Sequence, residues 1–404
     1  MEIVTECSKP ISQKREDKGN WLAVTATGLS TFSVVTTEML PVGLMTPVAG
    51  AFDVSVGLAG LTISVPAILA GLFAPVVVIA AGGIDRRHIL AGLMVLLMIA
   101  NLISACAPNL GWLLAARVLV GFCMGGIWSV AGGLASRLVP EQSAGLATAV
   151  IFGGVSVASV FGVPLGTLAG ELAGWRMAFA GMAVFSLIAL LLLIVALPAL
   201  PVSHRVRPQQ FMMQFGNPMV RFGLVLTVLL VAGHFMAYTF VHPLLQTMSG
   251  FGAEWISLLL FGYGVAGISG NFLAGMVVAR KTGATLIAIA AGLTLSIAGF
   301  ALLGSSHSGG AVMLVLWGIA YGGVSVSLQT WMMQAAPRAI EVVTSLYVAV
   351  FNIGIALGSF AGGRVVDAFG LHSTLLIAGA LPASGFILIF LMMRGANAVT
   401  GSKD

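Results

Sequence analysis

Charge is what this chain has least of: only 8% of its 404 residues are Asp, Glu, Lys or Arg, against about 25% in soluble domains. A core clothed by so few charges cannot face water. Cysteine is also scarce. Cys7, Cys106 and Cys123 are odd in number and fall at different depths, which excludes a disulfide framework and a thiolate zinc site. The sequence has no nucleophile with a partner base and no phosphate-cradling loop between a strand and a helix, since its glycine-rich stretches lie inside apolar runs. An ATP-driven pump and an enzyme are therefore not expected, and neither is a cofactor; any transport would be driven by an ion or solute gradient or be passive. The basic residues are spread over short loops and form no patch, which leaves no nucleic-acid partner.

What is present is apolar length. Hydrophobic residues make up 59% of the chain and the mean hydropathy is +1.07. A membrane-spanning helix needs about 20 mostly apolar residues. Such windows fall at 21–43, 56–80, 88–107, 111–134, 145–168 and 176–197, and again at 221–243, 253–278, 284–303, 311–334, 342–363 and 373–393. The runs are continuous, so they read as helices and not as alternating barrel strands.

The two sets of windows are copies. Gly121, Gly125, Gly126 and Pro140 return about 197 positions later as Gly318, Gly322, Gly323 and Pro337. Glu171 to Gly174 is echoed by Asp367 to Gly370, and Pro41 by Pro243. The expected fold is an all-α membrane protein of twelve transmembrane helices in two pseudo-symmetric six-helix bundles, an architecture typical of transporters. The expected parts are a tail at 1–20, bundles at 21–197 and 221–394, a linker at 198–220 and a tail at 395–404. Lys and Arg gather in the termini and even-numbered loops, and only Arg176 and Arg364 lie opposite, which predicts that both termini are cytoplasmic.

Glu38 lies well inside the first window, in TFSVVTTEMLPVGL, with no cation nearby. Burying an acid at a helix centre costs about 2.5–3.5 kcal/mol, and intramembrane acids are functional by default. Glu38 is either a proton-coupling site or a structural acid bonded to another helix. Arg117 is its candidate partner. At 1.5 Å per residue Arg117 lies ~9 Å and Glu38 ~7.5 Å from the same membrane face. Arg117 either holds Glu38 ionised, should their helices be adjacent, or snorkels outward or caps backbone carbonyls. His234 either relays protons and contacts substrate or is a neutral bridge between helices. Asn352 either faces a cavity or bridges helices.

The expected substrate-facing set is Thr37, Phe122, Trp128, Phe152, His234, Tyr238, Tyr321 and Asn352, where flat aromatic surfaces suit amphipathic cargo. The fifth window carries Gly153, Gly154, Gly162, Pro164 and Gly166. Small residues beside a proline allow either static close packing or a moving seam.

These residues resemble the major facilitator superfamily, within it the twelve-span drug/proton antiporter branch. Arg117-Val-Leu-Val-Gly121 matches the span-4 pattern, Gly153 through Pro164 and Gly166 the span-5 antiporter pattern, and Gly174-Trp175-Arg176 with Phe179 the motif that follows. The loop after span 2, Gly82-Gly-Ile-Asp85-Arg86-Arg87, is a shortened form of the family's loop and lacks its second glycine. Thr37-Glu38-Met-Leu-Pro41 is similar to bacterial sugar-efflux and purine-ribonucleoside-efflux transporters. The resemblance implies proton-driven export of a sugar, nucleoside or drug across a bacterial inner membrane. Glu38 and Arg117 would serve coupling, with Asp85, Arg86, Arg87, Gly153, Gly162, Pro164 and Gly166 in gating. Protons, a small-molecule substrate and lipid are the expected partners of a single chain. The rival readings are a proton symporter importing a nutrient and a non-transporting membrane sensor.

Overall fold

The computed structural model describes residues 20–80, 84–131, 134–140, 143–200 and 208–400. Gly82, Gly83, the N-terminal tail before residue 20, linker residues 201–207 and the last four residues lie outside the described residues. Among the described residues all regular structure is helical. In hydrocarbon this is the expected outcome, because a helix satisfies every backbone N–H and C=O within one segment.

In the first half α1 is Trp21–Gly43, α2 Leu61–Ala80, α3 Arg86–Ala105 and α4 Leu110–Ala131. α5 runs through Ala144–Val157, a π-helical turn at Ala158–Gly162 and Val163–Ala173, and α6 is Trp175–Ala196. In the second half α7 is Pro218–Tyr238, α8 Ala253–Val278 and α9 Thr282–Leu303. α10 is His307–Gly322 continued by Val324–Ala335. The helical stretch Ile340–Thr400 is two spans, α11 (340–369) and α12 (371–400), parted at Gly370. Ten long apolar helices and one bent pair, α1 with Met45–Phe52, pass the length and hydropathy requirement. Parting the last of them at Gly370 gives twelve spans among the described residues.

Several boundaries differ from the apolar windows: α2 begins at Leu61, and α11 and α12 run on to 369 and 400. α5 continues to Ala173. α7 stops at Tyr238 and gives way to Val241–Pro243 and a π-helical turn, Leu244–Met248, because Pro243 has no N–H with which to continue the ladder. The linker window at 198–220 contains a short helix, Pro208–Gln214.

Packing repeats with the sequence. α2 lies on α4, α3 on α4 and α6, and α1 on α5 and α6; α8 lies on α10, α9 on α10 and α12, and α7 on α11 and α12. The repeated glycines make this possible. A Cβ on Gly121 would sit 2.6 Å from the Pro66 carbonyl oxygen of α2, and one on Gly318 2.6 Å from the Tyr263 carbonyl oxygen of α8. Pro66 and Tyr263 stand at the same sequence offset as the two glycines. The echo of Gly174 in Gly370 has a backbone cause as well. Both take a positive φ, 89° and 79°, at the turns from α5 to α6 and from α11 to α12, which residues with a Cβ adopt at a cost. The halves meet along α2 with α11 and α5 with α8.

Candidate functional site

Glu38 is 2% exposed and its Oε1 has no hydrogen-bond partner among the described residues. α1 is adjacent to α4, and Arg117, fully buried, interacts electrostatically with Glu38. The guanidinium does not clasp the carboxylate. Its Nη1 donates to the Thr37 carbonyl oxygen at 2.7 Å, its Nη2 reaches Ser104 Oγ at 3.5 Å, and its Cζ lies 4.7 Å from the centre of the Phe179 ring. Nε is buried without a partner among the described residues. A cation thus stands within electrostatic reach of the acid without bonding to it, and Oε1 of the carboxylate is left unpartnered among the described residues. Snorkelling does not occur; of the two alternatives to a grip on Glu38, the structure shows the capping of a backbone carbonyl, that of Thr37.

A polar network from α3 and α6 supports this arrangement, and sequence reading missed it. Asn101 Nδ2 donates to Thr37 Oγ1 at 3.0 Å and reaches Ser186 Oγ at 3.4 Å, and Ser186 Oγ pairs with Ser33 Oγ at 2.8 Å. Asn101 is fully buried. A buried amide in an apolar run was the available signal. The expectation that Thr37 faces substrate meets a side chain that is itself fully buried and bonded to Asn101 within the first half.

The second half supplies aromatic surface. His234 stacks on Tyr321 with centroids 3.3 Å apart and on Tyr238 at 4.8 Å, and Tyr238 stacks in turn on Tyr263 at 4.8 Å. Trp317 Nε1 donates to His234 Nδ1 at 3.0 Å, which fixes the ring as the tautomer carrying its proton on Nε2. Tyr321 interacts electrostatically with Glu38, so the end of the ring column in the second half lies within electrostatic reach of the acid in the first. Asn352 donates to the Val348 carbonyl and keeps a buried Oδ1 without a partner among the described residues. In the first half Trp128 stacks on Phe152 at 5.7 Å, and Phe122 lies against Phe73 at 4.0 Å.

The gating candidates separate into two groups. Asp85 caps α3. Its Oδ1 accepts the N–H of Leu200 and of Arg87, each at 2.9 Å, and these bonds hold its carboxyl below the usual aspartate range. Arg87 Nη2 donates to the Ile194 carbonyl, and the N–H of Arg86 to the Leu200 carbonyl. These bonds tie α3 to the end of α6, within one half. Gly162 and Gly166 press on Thr36 and Leu40 of α1, Pro164 is buried, and nothing lies within 4 Å of a Cβ on Gly153. The π-helical turn touches the other half, where Phe161 meets Phe261 with centroids 5.5 Å apart.

Two bundles of one design, one burying an acid beside an arginine and the other a column of aromatic rings, fit a multi-pass membrane transporter. The chain belongs to the Major Facilitator Superfamily, whose family model matches residues 27–358. It is similar to the purine ribonucleoside efflux pump NepI of Salmonella enteritidis PT4, 32% identical over 362 residues that span 90% of this chain and 91% of that protein. NepI of Escherichia coli O157:H7 is 31% identical with the same coverage. Among solved structures, a bacterial homologue of the human lysosomal transporter Spinster, inward-facing and occupied, shares the fold with a TM-score of 0.73 at 16% identity, covering 93% of this chain and 96% of that one. The human organic anion transporter MFSD10 follows with 0.69 at 18% identity, covering 92% and 99%.

Proposed function

We propose that the protein is a proton-coupled antiporter that exports small organic molecules carrying a planar ring, purine ribonucleosides first among them, across a bacterial inner membrane with both termini cytoplasmic. The observation that carries the reading is Glu38: a buried acid with an unpartnered oxygen, beside a cation that binds a neighbouring carbonyl and not the acid itself. Protonation removes one charge of a buried pair whose other member stays in place, so proton binding changes the electrostatics of the seam without dismantling it. Tyr321, the partly exposed end of the column in which His234 and Tyr238 are already stacked on both faces, offers a face on which a heterocycle stacks. The efflux function of the NepI relatives supports the outward direction, and their substrates name the first cargo to test.

In the cycle, the form open to the cytoplasm releases a proton from Glu38 and takes up cargo. The form open to the periplasm releases cargo and reprotonates Glu38. No bound cofactor enters; the proton gradient drives the exchange. One chain suffices, because both halves of the path lie within it. The test uses purified protein in vesicles with an imposed pH gradient. Glu38→Gln is expected to abolish gradient-driven nucleoside flux and to retain nucleoside counterflow. Full gradient-driven flux in that variant overturns the coupling role.

A further inference from the structure

Asp367 lies near the end of α11, far in sequence from every group in the proton site, and both its oxygens reach into the other half. Oδ2 accepts the Ser55 hydroxyl at 2.6 Å and Oδ1 accepts the Gly57 N–H at 3.0 Å. The Ser55 hydroxyl also accepts the Leu58 N–H, capping the short helix Val56–Ala59 that leads into α2. One carboxylate in the second half therefore orders the start of a helix in the first. The fit depends on bare backbone. A Cβ on Gly57 would strike the Gly363 carbonyl and the Asp367 carboxylate, and one on Gly363 would lie 2.6 Å from the Gly57 carbonyl oxygen.

Closure continues beneath these bonds. Thr46 Oγ1 pairs with His242 Nδ1 at 3.0 Å. A Cβ on Gly60 would sit 2.9 Å from the Phe240 ring. Val42, Met45, Ala59 and Ile63 of the first half belong to the same apolar cluster as Phe240 and Leu244 of the second.

We propose that Asp367 is the latch that fastens this end of the transporter, the periplasmic end in the orientation given above. Its two bonds exist only while the halves are together. Charge-assisted bonds of this kind are stronger than neutral ones and hold a definite geometry. Asp367 and Ser55 are both exposed, so water replaces the lost partners when the halves part, and the latch opens at low cost. A buried carboxylate would be left uncompensated in the open form and would jam the cycle.

The repeat shows that the device is one-sided. Ser55-Val-Gly57 corresponds to Gly252-Ala-Glu254, and Asp367 to Glu171. On the α5–α8 seam, then, Glu254 replaces the N–H donor glycine, and Glu171 interacts electrostatically with another carboxyl group. The α2–α11 seam is the one fastened by such a bond, so the halves part along that side once Asp367 lets go.

The consequence for flux rests on the transport reading, but closure itself is measured without cargo. The native cysteines are replaced by alanine, and spin labels are placed at Ala51→Cys and Ala368→Cys, exposed positions in opposite halves at this end. The parent is expected to give a predominant short distance. Asp367→Ala and Ser55→Ala are each expected to raise the separated population about tenfold, the factor that 1.4 kcal/mol gives. The double variant is expected to go no further than Asp367→Ala alone, because that substitution already removes the Ser55 bond along with the Gly57 bond, and Asp367→Glu is expected to recover part of the short distance. Distance distributions unchanged in both single variants overturn the latch, and so do fully additive effects in the double variant. Loss of nucleoside flux in the parent, with the latch effects intact, counts against the cargo and not against the latch.

Discussion

Arg117 donates to the carbonyl oxygen of Thr37 at 2.7 Å, the residue immediately before Glu38 in α1. The cation is thus anchored to the backbone of the helix that carries the acid. Removing it leaves a buried acid without its compensating charge, a change that typically costs about 3–5 kcal/mol. Arg117→Ala is expected to lower the thermal midpoint of the purified protein sharply. Arg117→Ala combined with Glu38→Gln is expected to recover most of that loss, because the second substitution removes the stranded charge. Additive losses in this double-mutant cycle would show that the two groups are not coupled.

His234 joins two interactions that substitution can separate. His234→Phe keeps a ring between Tyr321 and Tyr238 but leaves the Trp317 indole N–H without its acceptor. An unsatisfied buried donor costs about 1–3 kcal/mol. His234→Gln keeps an acceptor and loses the ring. If the ring column binds cargo, His234→Gln raises KM for nucleoside flux severalfold, whereas His234→Phe lowers stability with KM held near the parent. Equal KM values in parent and His234→Gln would remove the histidine ring from the cargo site.

The twelve spans were legible because each must be apolar over the bilayer thickness, and the repeat was legible because Gly121 and Gly318 answer the same steric demand from α2 and α8. The level shared by Glu38 and Arg117 followed from helical rise alone. Their mode of contact did not, since it depends on the angle between α1 and α4 and on Ser104 and Asn101 from α3. Asp367 was visible only as an echo of Glu171. Its partners, Ser55 and Gly57, lie in the other half, and no periodicity along one helix reports a contact between halves. The break after Tyr238 was carried by Pro243, but one long apolar run on either side concealed it.

Neighbouring glycines on α5 make opposite demands. A Cβ on Gly154 would strike the Gly28 carbonyl oxygen of α1 and lie 2.9 Å from the Phe32 nitrogen, whereas one on Gly153 meets nothing within 4 Å. Gly153 instead lines a groove of about 430 Å³ beside Phe32 and Phe185. Overpacking costs about 1–3 kcal/mol, and here the obstacle is backbone that cannot swing aside. Gly154→Val is expected to lower the thermal midpoint in detergent or to abolish insertion. Gly153→Ala is expected to leave it unchanged or raise it slightly, with helix propensity contributing up to ~1 kcal/mol. Similar losses at both positions would mean that α1 and α5 do not pack as described.

Asp85 carries a pH signature that can be read in the soluble part of the fold. The N–H groups of Leu200 and Arg87 hold its carboxyl below the usual aspartate range, with Arg87 and His88 close by. A group whose folded-state pKa is depressed stabilises the fold at pH above its unfolded value, ~3.9 for aspartate, and that contribution fades as pH falls through the folded value. Asp85→Ala is therefore expected to melt below the parent by a constant margin from neutral pH down to about 5, with the margin narrowing in stronger acid. The other titrating groups are common to both proteins, so the difference isolates Asp85. A margin that widens in acid would reverse the sign and exclude the bonded carboxylate as the form that joins α3 to the end of α6.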